Sequence, residues 1–267
     1  MRPAINTLII NADDFGLNHN VNMATVQTFE KGLCSSCTIM PNMLEFEAAC
    51  ELVHEYKLIN HVGIHLVLTE GYPLTEKIRK LPRFCDKEGR FCLSWTERVF
   101  RLNTDEKEAL AEETKAQIAK CRKNQIPLTH LDSHSHVHEE WGIASVVIPV
   151  VIEECIPYVR LSRNFGPGIT TVKRVYKYFF NLSLRSRGLA KTKYFGTPED
   201  YYLYVKKLTN AQASPISWEL MIHPLFDEQQ QLVDYWLKKP LENMVTAVYE
   251  YEKAVSFTGR KYHNNLR

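Results

Sequence analysis

The chain has 267 residues, 45% of them hydrophobic and 24% charged, with a formal net charge of +2 at neutral pH. That length suits one large domain or two small ones, and a near-neutral balance without a basic tract excludes a nucleic-acid-binding footprint. No apolar run approaches the ~18 residues of a membrane span, and the opening MRPAINTLIINADD lacks the apolar stretch and cleavage site of a signal peptide.

In chain order, apolar or β-branched segments alternate with helical patterns. A strand over 7–12 (TLIINA) leads to a helix at about 19–31, and a strand over 35–41 (SSCTIMP) to a helix at about 45–57. Cys34 and Cys37 have redox-motif spacing there, but without a second pair they read as buried thiols. A strand over 61–67 (HVGIHLV) is followed by an insertion at about 68–102, marked by Gly71, Pro73, Pro82, Gly89 and Trp95. Within it Cys85 and Cys92 flank a charged turn and suit a hairpin-like loop, since a zinc clip would lack two ligands. The clearest helix is 104–123, with Asn103 as N-cap, Glu106 as its reciprocal partner, and a stripe through Leu110, Ile118 and Cys121. Strands over 127–133, 157–162, 192–196 and 215–222 then alternate with helices at about 141–155, 171–187 and 198–209. From about residue 226 the pattern is helical, roughly 227–238 and 241–254. The expectation is one α/β domain over residues 1–267: about seven parallel strands closing in a TIM-barrel-like manner, helices outside.

Parallel barrels build their sites at the C-terminal ends of the strands. The first predicted strand ends in Asp13-Asp14, the third carries His65, and the fourth runs into Asp132-Ser-His134-Ser-His136-Val-His138. The fifth carries Arg160 and Arg163, and the last ends in His223-Pro224. Any one of these histidines could be an ordinary packing residue. Five strand ends carrying Asp, His or Arg together point to a site. His65 and His134 with one of the two aspartates make a two-imidazole, one-carboxylate set suited to a catalytic divalent cation. The other aspartate could take a proton from water acidified by that cation, or orient a histidine. Sequence leaves this division open. His223 could protonate a leaving amine or close a His-Pro turn. Arg160 could bind an anionic or hydroxyl-rich substrate, or pair with Asp132 or a glutamate; for Arg163 an ion pair is expected. If the backbone turns after His134, then His136 and His138 are freed, and His138 becomes a candidate for substrate binding.

The segments LIINADDFGLN, GIHLVLTEGYPL, THLDSHSHVH and LMIHP, in this order across residues 8–224, resemble the YdjC-like carbohydrate deacetylases, which include the chitooligosaccharide deacetylases. The resemblance implies a distorted (β/α) barrel, one divalent metal ion (Mg2+ or Zn2+), and hydrolysis of an N-acetyl group from an amino sugar or short chitooligosaccharide with release of acetate. It implies His65 and His134 as metal ligands with Asp14, Asp13 as the base, and His223 as the acid. Ser135 stands where the family often has a histidine, and the stretch from about 226 does not resemble its usual ending. The expected partner is a small carbohydrate, with neither nucleic acid nor membrane, and a homodimer is allowed for. The odd, scattered cysteines add a cytoplasmic location. Tyr72, Phe91 and Trp95 could stack on a sugar ring or pack in the insertion. The alternatives are another metal-dependent hydrolase, such as a phosphoesterase, or a non-enzymatic sugar-binding barrel.

Overall fold

A computed structural model of the protein describes residues 8–94, 99–207 and 217–257. Strand β1 (Leu8–Phe15) runs in the middle of a parallel sheet with β2 (Ser36–Ile39), β3 (Val62–Leu66), β4 (Leu131–Ser133), β5 (Tyr194–Gly196) and β6 (Trp218–Ile222). The strand order is β4-β3-β2-β1-β6-β5. Ladders such as Leu8↔Trp218 to Ala12↔Ile222 and His65↔Asp132 fix the register.

Side chains alternate across each strand, and the sequence uses the two faces differently. Ile10 and Ala12, Ile64 and Leu66, and Leu220 and Ile222 share one face and are buried in the main apolar core. Each such Ile or Leu contributes ~1.5–3 kcal/mol by leaving water. On the other face stand Asn11, Asp13, Thr38, His65, Asp132 and Glu219, all buried and polar. One guanidinium, that of Arg160, touches carboxylates on β1, β4 and β6 at once. Because β4 and β6 are separated by three strands, the sheet must curl around that side chain.

Helices α1 (His19–Glu30), α2 (Phe46–Glu55), α4 (Thr104–Lys123), α5 (Trp141–Glu153), α6 (Thr171–Ser186) and α7 (Pro198–Lys207) follow the predicted order, with a short α3 (Glu76–Arg79) in the insertion. Asn103 and Glu106 form a reciprocal capping box at the start of α4. In the insertion Cys85 bridges Phe91 in antiparallel fashion around the Asp86–Arg90 turn. All seven cysteines are free thiols. Burial raises the thiol pKa of both Cys34 and Cys37.

Two expectations are corrected. The segment 157–162 does not form a seventh strand of the ladder: it meets β4 at an isolated bridge, Leu131↔Val159. The reason lies in side chains that take the place of a neighbouring strand. Asn181 on α6 receives the Ser162 N–H and donates to its carbonyl, at 2.8 and 2.9 Å. Among the described residues the sheet is therefore a curled, six-stranded half-barrel rather than a seven-stranded TIM-like barrel.

The segment 227–238 is not a helix. It belongs to a three-stranded antiparallel sheet of β7 (Pro224–Phe226), β8 (Leu232–Asp234) and β9 (Lys239–Pro240), after which α8 (Leu241–Phe257) begins. Asp227 turns the chain by accepting from the N–H groups of Gln229 and Gln231, and Gln230 takes the left-handed conformation at φ 59°. Among the described residues no helix is long and apolar enough to cross a membrane. Residues 7, 208–209, 215–216 and Trp95, which fall within predicted elements or the insertion, lie outside the described residues.

Candidate active site

In a regular strand Asp13 and Asp14 would point to opposite faces. The register of β1 against β2 shifts between Ala12 and Phe15, and Asp14 adopts φ 68°. This bulge lets both carboxylates act at one end of the sheet. Left-handed backbone costs a non-glycine residue ~1–2 kcal/mol, and Asp is among the residues that visit it most readily.

Asp14 is the meeting point of three elements. Its Oδ1 lies 3.0 Å from His65 Nε2 on β3 and 2.9 Å from His134 Nδ1 at the end of β4, and its Oδ2 accepts from the Tyr235 hydroxyl at 3.0 Å. The second nitrogen of each ring faces another carboxylate: His65 Nδ1 lies 2.7 Å from Asp132 and His134 Nε2 2.8 Å from Glu70. A carboxylate can only accept, so each outer nitrogen donates, which fixes how the ring presents its inner nitrogen. Burial works against charge on both rings. The surrounding carboxylates outweigh it, raising His65 to about 10 and His134 to about 9. Burial likewise opposes ionisation of Asp14, but hydrogen bonds from His134 and His65 hold its carboxyl well below the usual range.

The donor set fits a divalent cation. Asp14, His65 and His134 offer ligand atoms all within 4.8 Å of one another, and both rings already carry the outer carboxylate partners typical of metal-bound imidazole. A second grouping, Asp13, His65 and Asp132, meets the same distance criterion. Arg160 bonds both of its aspartates, so a cation there would sit against a guanidinium. Electrostatics favour the first set.

Asp13 has other partners. Arg160 grips it in a fork, with Nη1 at 2.6 Å from Oδ2 and Nη2 at 2.8 Å from Oδ1, while Asn11 donates to Oδ1 at 2.8 Å. Burial and nearby Asp132 raise its pKa; Arg160 outweighs them and lowers it. His223 Nε2 stands 3.9 Å from Asp13 Oδ2, and its Nδ1 faces Asp234 at 3.6 Å. Burial opposes the charged ring, but Asp234, Asp13 and Asp14 together raise its pKa.

Arg160 and His138, expected to meet substrate, are placed otherwise. Arg160 is 1% exposed and is consumed by Asp13, by Asp132 at 2.5 Å and by Glu219 at 2.5 Å, with its guanidinium 4.8 Å over the Phe195 ring. It takes the ion-pairing alternative. His138 is likewise buried at 1% exposure, with Nδ1 2.7 Å from the Ser133 hydroxyl and Nε2 donating to the Arg160 carbonyl at 3.2 Å. Neither ring nitrogen is left for a ligand, so His138 positions Arg160. Arg163 forms the expected ion pair, two bonds of 2.6 Å to Asp200. The chain does turn after His134: Ser135 and His136 are both left-handed, and the buried His136 Nδ1 has no hydrogen-bond partner among the described residues. Burial pushes His136 down to about 4.

Sequence reasoning assigned no role to Glu70 or Tyr235. Glu70 sat inside the GIHLVLTEGYPL segment without a visible partner. Tyr235 was hidden in the predicted helix.

A curled parallel sheet carries at its strand ends an Asp-His-His cluster whose donor set fits a divalent cation and, beside it, a second, arginine-gripped aspartate. A family model described as YdjC-like protein matches residues 7–254, and the chain belongs to that family. A carbohydrate deacetylase of Brevibacillus brevis is 32% identical over 84% of both chains. A chitooligosaccharide deacetylase of Yersinia pestis is 30% identical over 83% of both chains. Among solved structures, an Enterococcus faecalis protein described as a candidate cellobiose-phosphate cleavage protein superposes with a TM-score of 0.70 over 97% of each chain. At 21% identity it shows the shared fold alone.

Proposed function

We propose that this protein is a metal-dependent carbohydrate deacetylase that hydrolyses the acetamide of an amino sugar or short chitooligosaccharide and releases acetate. The observation that carries the reading is the convergence of Asp14, His65 and His134 on one point, with Asp13 and His223 beside it, in a chain whose curated relatives are named as deacetylases. Asp14, His65 and His134 would hold the cation, and imidazole donors suit zinc while carboxylate oxygen also admits magnesium. A divalent ion bound there supplies Lewis-acid chemistry, acidifying water and polarising a carbonyl.

The chain's own groups then divide the proton work. Asp13 is ionised and fixed in direction by Arg160, so it accepts the proton of the attacking water as general base. Sharing Arg160 with Asp132 and Glu219 keeps Asp13 oriented while its charge changes. His223, whose raised pKa favours the protonated ring, donates to the departing amine and prevents its return to the acetyl carbon. Asp132 and Glu70 keep His65 and His134 turned toward Asp14.

Acetate release from N-acetylglucosamine and from chitooligosaccharides of increasing length tests the reading. Activity should vanish with chelator and fall by at least ~100-fold in Asp13→Asn, given what a general base contributes. His65→Ala and His134→Ala should lose both activity and metal. Release of phosphate from sugar phosphates in place of acetate, or full activity in all three variants, would overturn it.

A further inference from the structure

The turn that carries Tyr235 also presents Trp236, which is 63% exposed. Its ring centroid lies 6.1 Å from that of His223 and 5.4 Å from that of Tyr235, tilted 34° to the latter. Tyr235 bonds Asp14 and His223 faces Asp13, so this indole is the next aromatic surface outward from the reacting groups.

The turn is held firmly. Asp234, itself fully buried, accepts from the His223 N–H at 2.8 Å and the Leu237 N–H at 2.7 Å, and its carbonyl accepts from Lys238 N–H at 2.7 Å. Asn20 on α1 ties the same small sheet down by reciprocal bonds to Phe226, at 2.9 and 2.8 Å. A solitary exposed apolar side chain needs no explanation. A tryptophan carried beside the catalytic groups on a turn whose backbone a buried carboxylate holds is a different case, because the backbone there is ordered before any ligand arrives. Tyr72, an aromatic expected to meet sugar, is half exposed but lies 6.0 Å from the Arg79 guanidinium, which covers part of its ring. Phe91 is buried.

Resting on the deacetylase reading, we propose that Trp236 forms a stacking subsite for the sugar ring adjoining the one that is deacetylated. The broad apolar face of an indole suits the C–H face of a pyranose. The site thereby selects chitooligosaccharides of two or more units over the monosaccharide.

The test compares kcat/KM for acetate release from N,N′-diacetylchitobiose and from N-acetylglucosamine in the metal-loaded protein, Trp236→Ala and Trp236→Phe. The disaccharide-to-monosaccharide ratio should fall roughly three- to tenfold in the alanine variant, through KM rather than kcat, and recover largely with phenylalanine. Fluorescence quenching on titration with diacetylchitobiose, present in the wild type and lost in Trp236→Phe, is the second readout. Acetate release with an unchanged ratio in Trp236→Ala overturns the subsite and leaves the deacetylase reading standing. Quenching that depends on Trp236 without any acetate release supports the subsite and overturns that reading. Neither quenching nor release overturns both.

Discussion

Arg160 is the residue on which the site's electrostatics turn. It is buried and bonded to Asp13, Asp132 and Glu219, so its loss would strand three carboxylates away from water. Breaking a buried charge cluster by removing one partner costs ~3–5 kcal/mol. Arg160→Met should therefore lower the thermal midpoint by on the order of 10 °C, read by calorimetry. Arg160→Lys keeps the charge but not the fork, and should fall between the two. An unchanged midpoint for Arg160→Met would show that the cluster is not held by this charge. Asp132→Asn acts one step away: it replaces the charged acceptor that orients His65 with a neutral amide, and should weaken metal binding by ~10–100-fold without removing a ligand, measured by isothermal titration. Sequence made Asp13, Asp14, His65, His134 and His223 visible because each follows a strand signal, and strand ends gather at one rim. It also made Arg160 and His138 visible but left their partners open, since residue type does not say which partner wins. Three carboxylates on β1, β4 and β6, separated in sequence by up to 206 positions (13 to 219), claim Arg160, and no local pattern encodes that.

At the scale of the element, local chemistry was legible wherever it was self-contained. Helix α4 is the best case: Asn103 Oδ1 receives the Glu106 N–H at 2.9 Å, and Glu106 returns the bond to Asn103 N–H at 2.9 Å while also pairing with Arg83 at 2.7 Å. Asn103→Ala should cost ~1 kcal/mol. Burial raises the Glu106 pKa, but Arg83 and the Asn103 N–H outweigh that, leaving the folded value below the ordinary 4.5. A depressed carboxyl pKa stabilises the fold above the unfolded value and loses that contribution as pH falls through the folded one. The stability gap between wild type and Glu106→Gln should thus be open at pH 7 and narrow as the pH falls below the ordinary carboxyl value of about 4.3, followed by urea unfolding. A gap independent of pH would show that shape, not charge, matters at this cap. The hairpin at 224–234 was illegible for the opposite reason. Leu232, Val233, Trp236 and Leu237 fall at helical spacing, and the Asp227 turn and contacts with Asn20 on α1 help decide for strands. The predicted strand at 157–162 failed similarly, its Ser162 backbone bonded by an asparagine 19 residues downstream.

For the whole molecule, the alternating α/β pattern announced a parallel sheet with helices outside, and that much was legible. Closure was not, because it depends on the network inside the curl rather than on any segment. The same interior explains a property of the entire fold. Asp13, Asp14, Asp132 and Glu219 are four buried carboxylates, and the Arg160 guanidinium pairs with three of them. Asp14 lies outside its grip and relies on His65 and His134. A cation taken up by Asp14, His65 and His134 binds the folded chain alone, because residues 14, 65 and 134 meet only when β1, β3 and β4 are aligned. At a free concentration 100 times its dissociation constant, such an ion stabilises the fold by ~2.7 kcal/mol. For a chain of this size that corresponds to a rise of about 5–10 °C in the thermal midpoint. Melting curves with Zn2+, Mg2+ and chelator should show this shift for the metal that belongs there. Asp14→Ala should abolish it, whereas Asp132→Asn should demand ~10–100-fold more metal for the same rise. A shift that survives Asp14→Ala would place the ion elsewhere in the molecule and remove the foundation of the proposed chemistry.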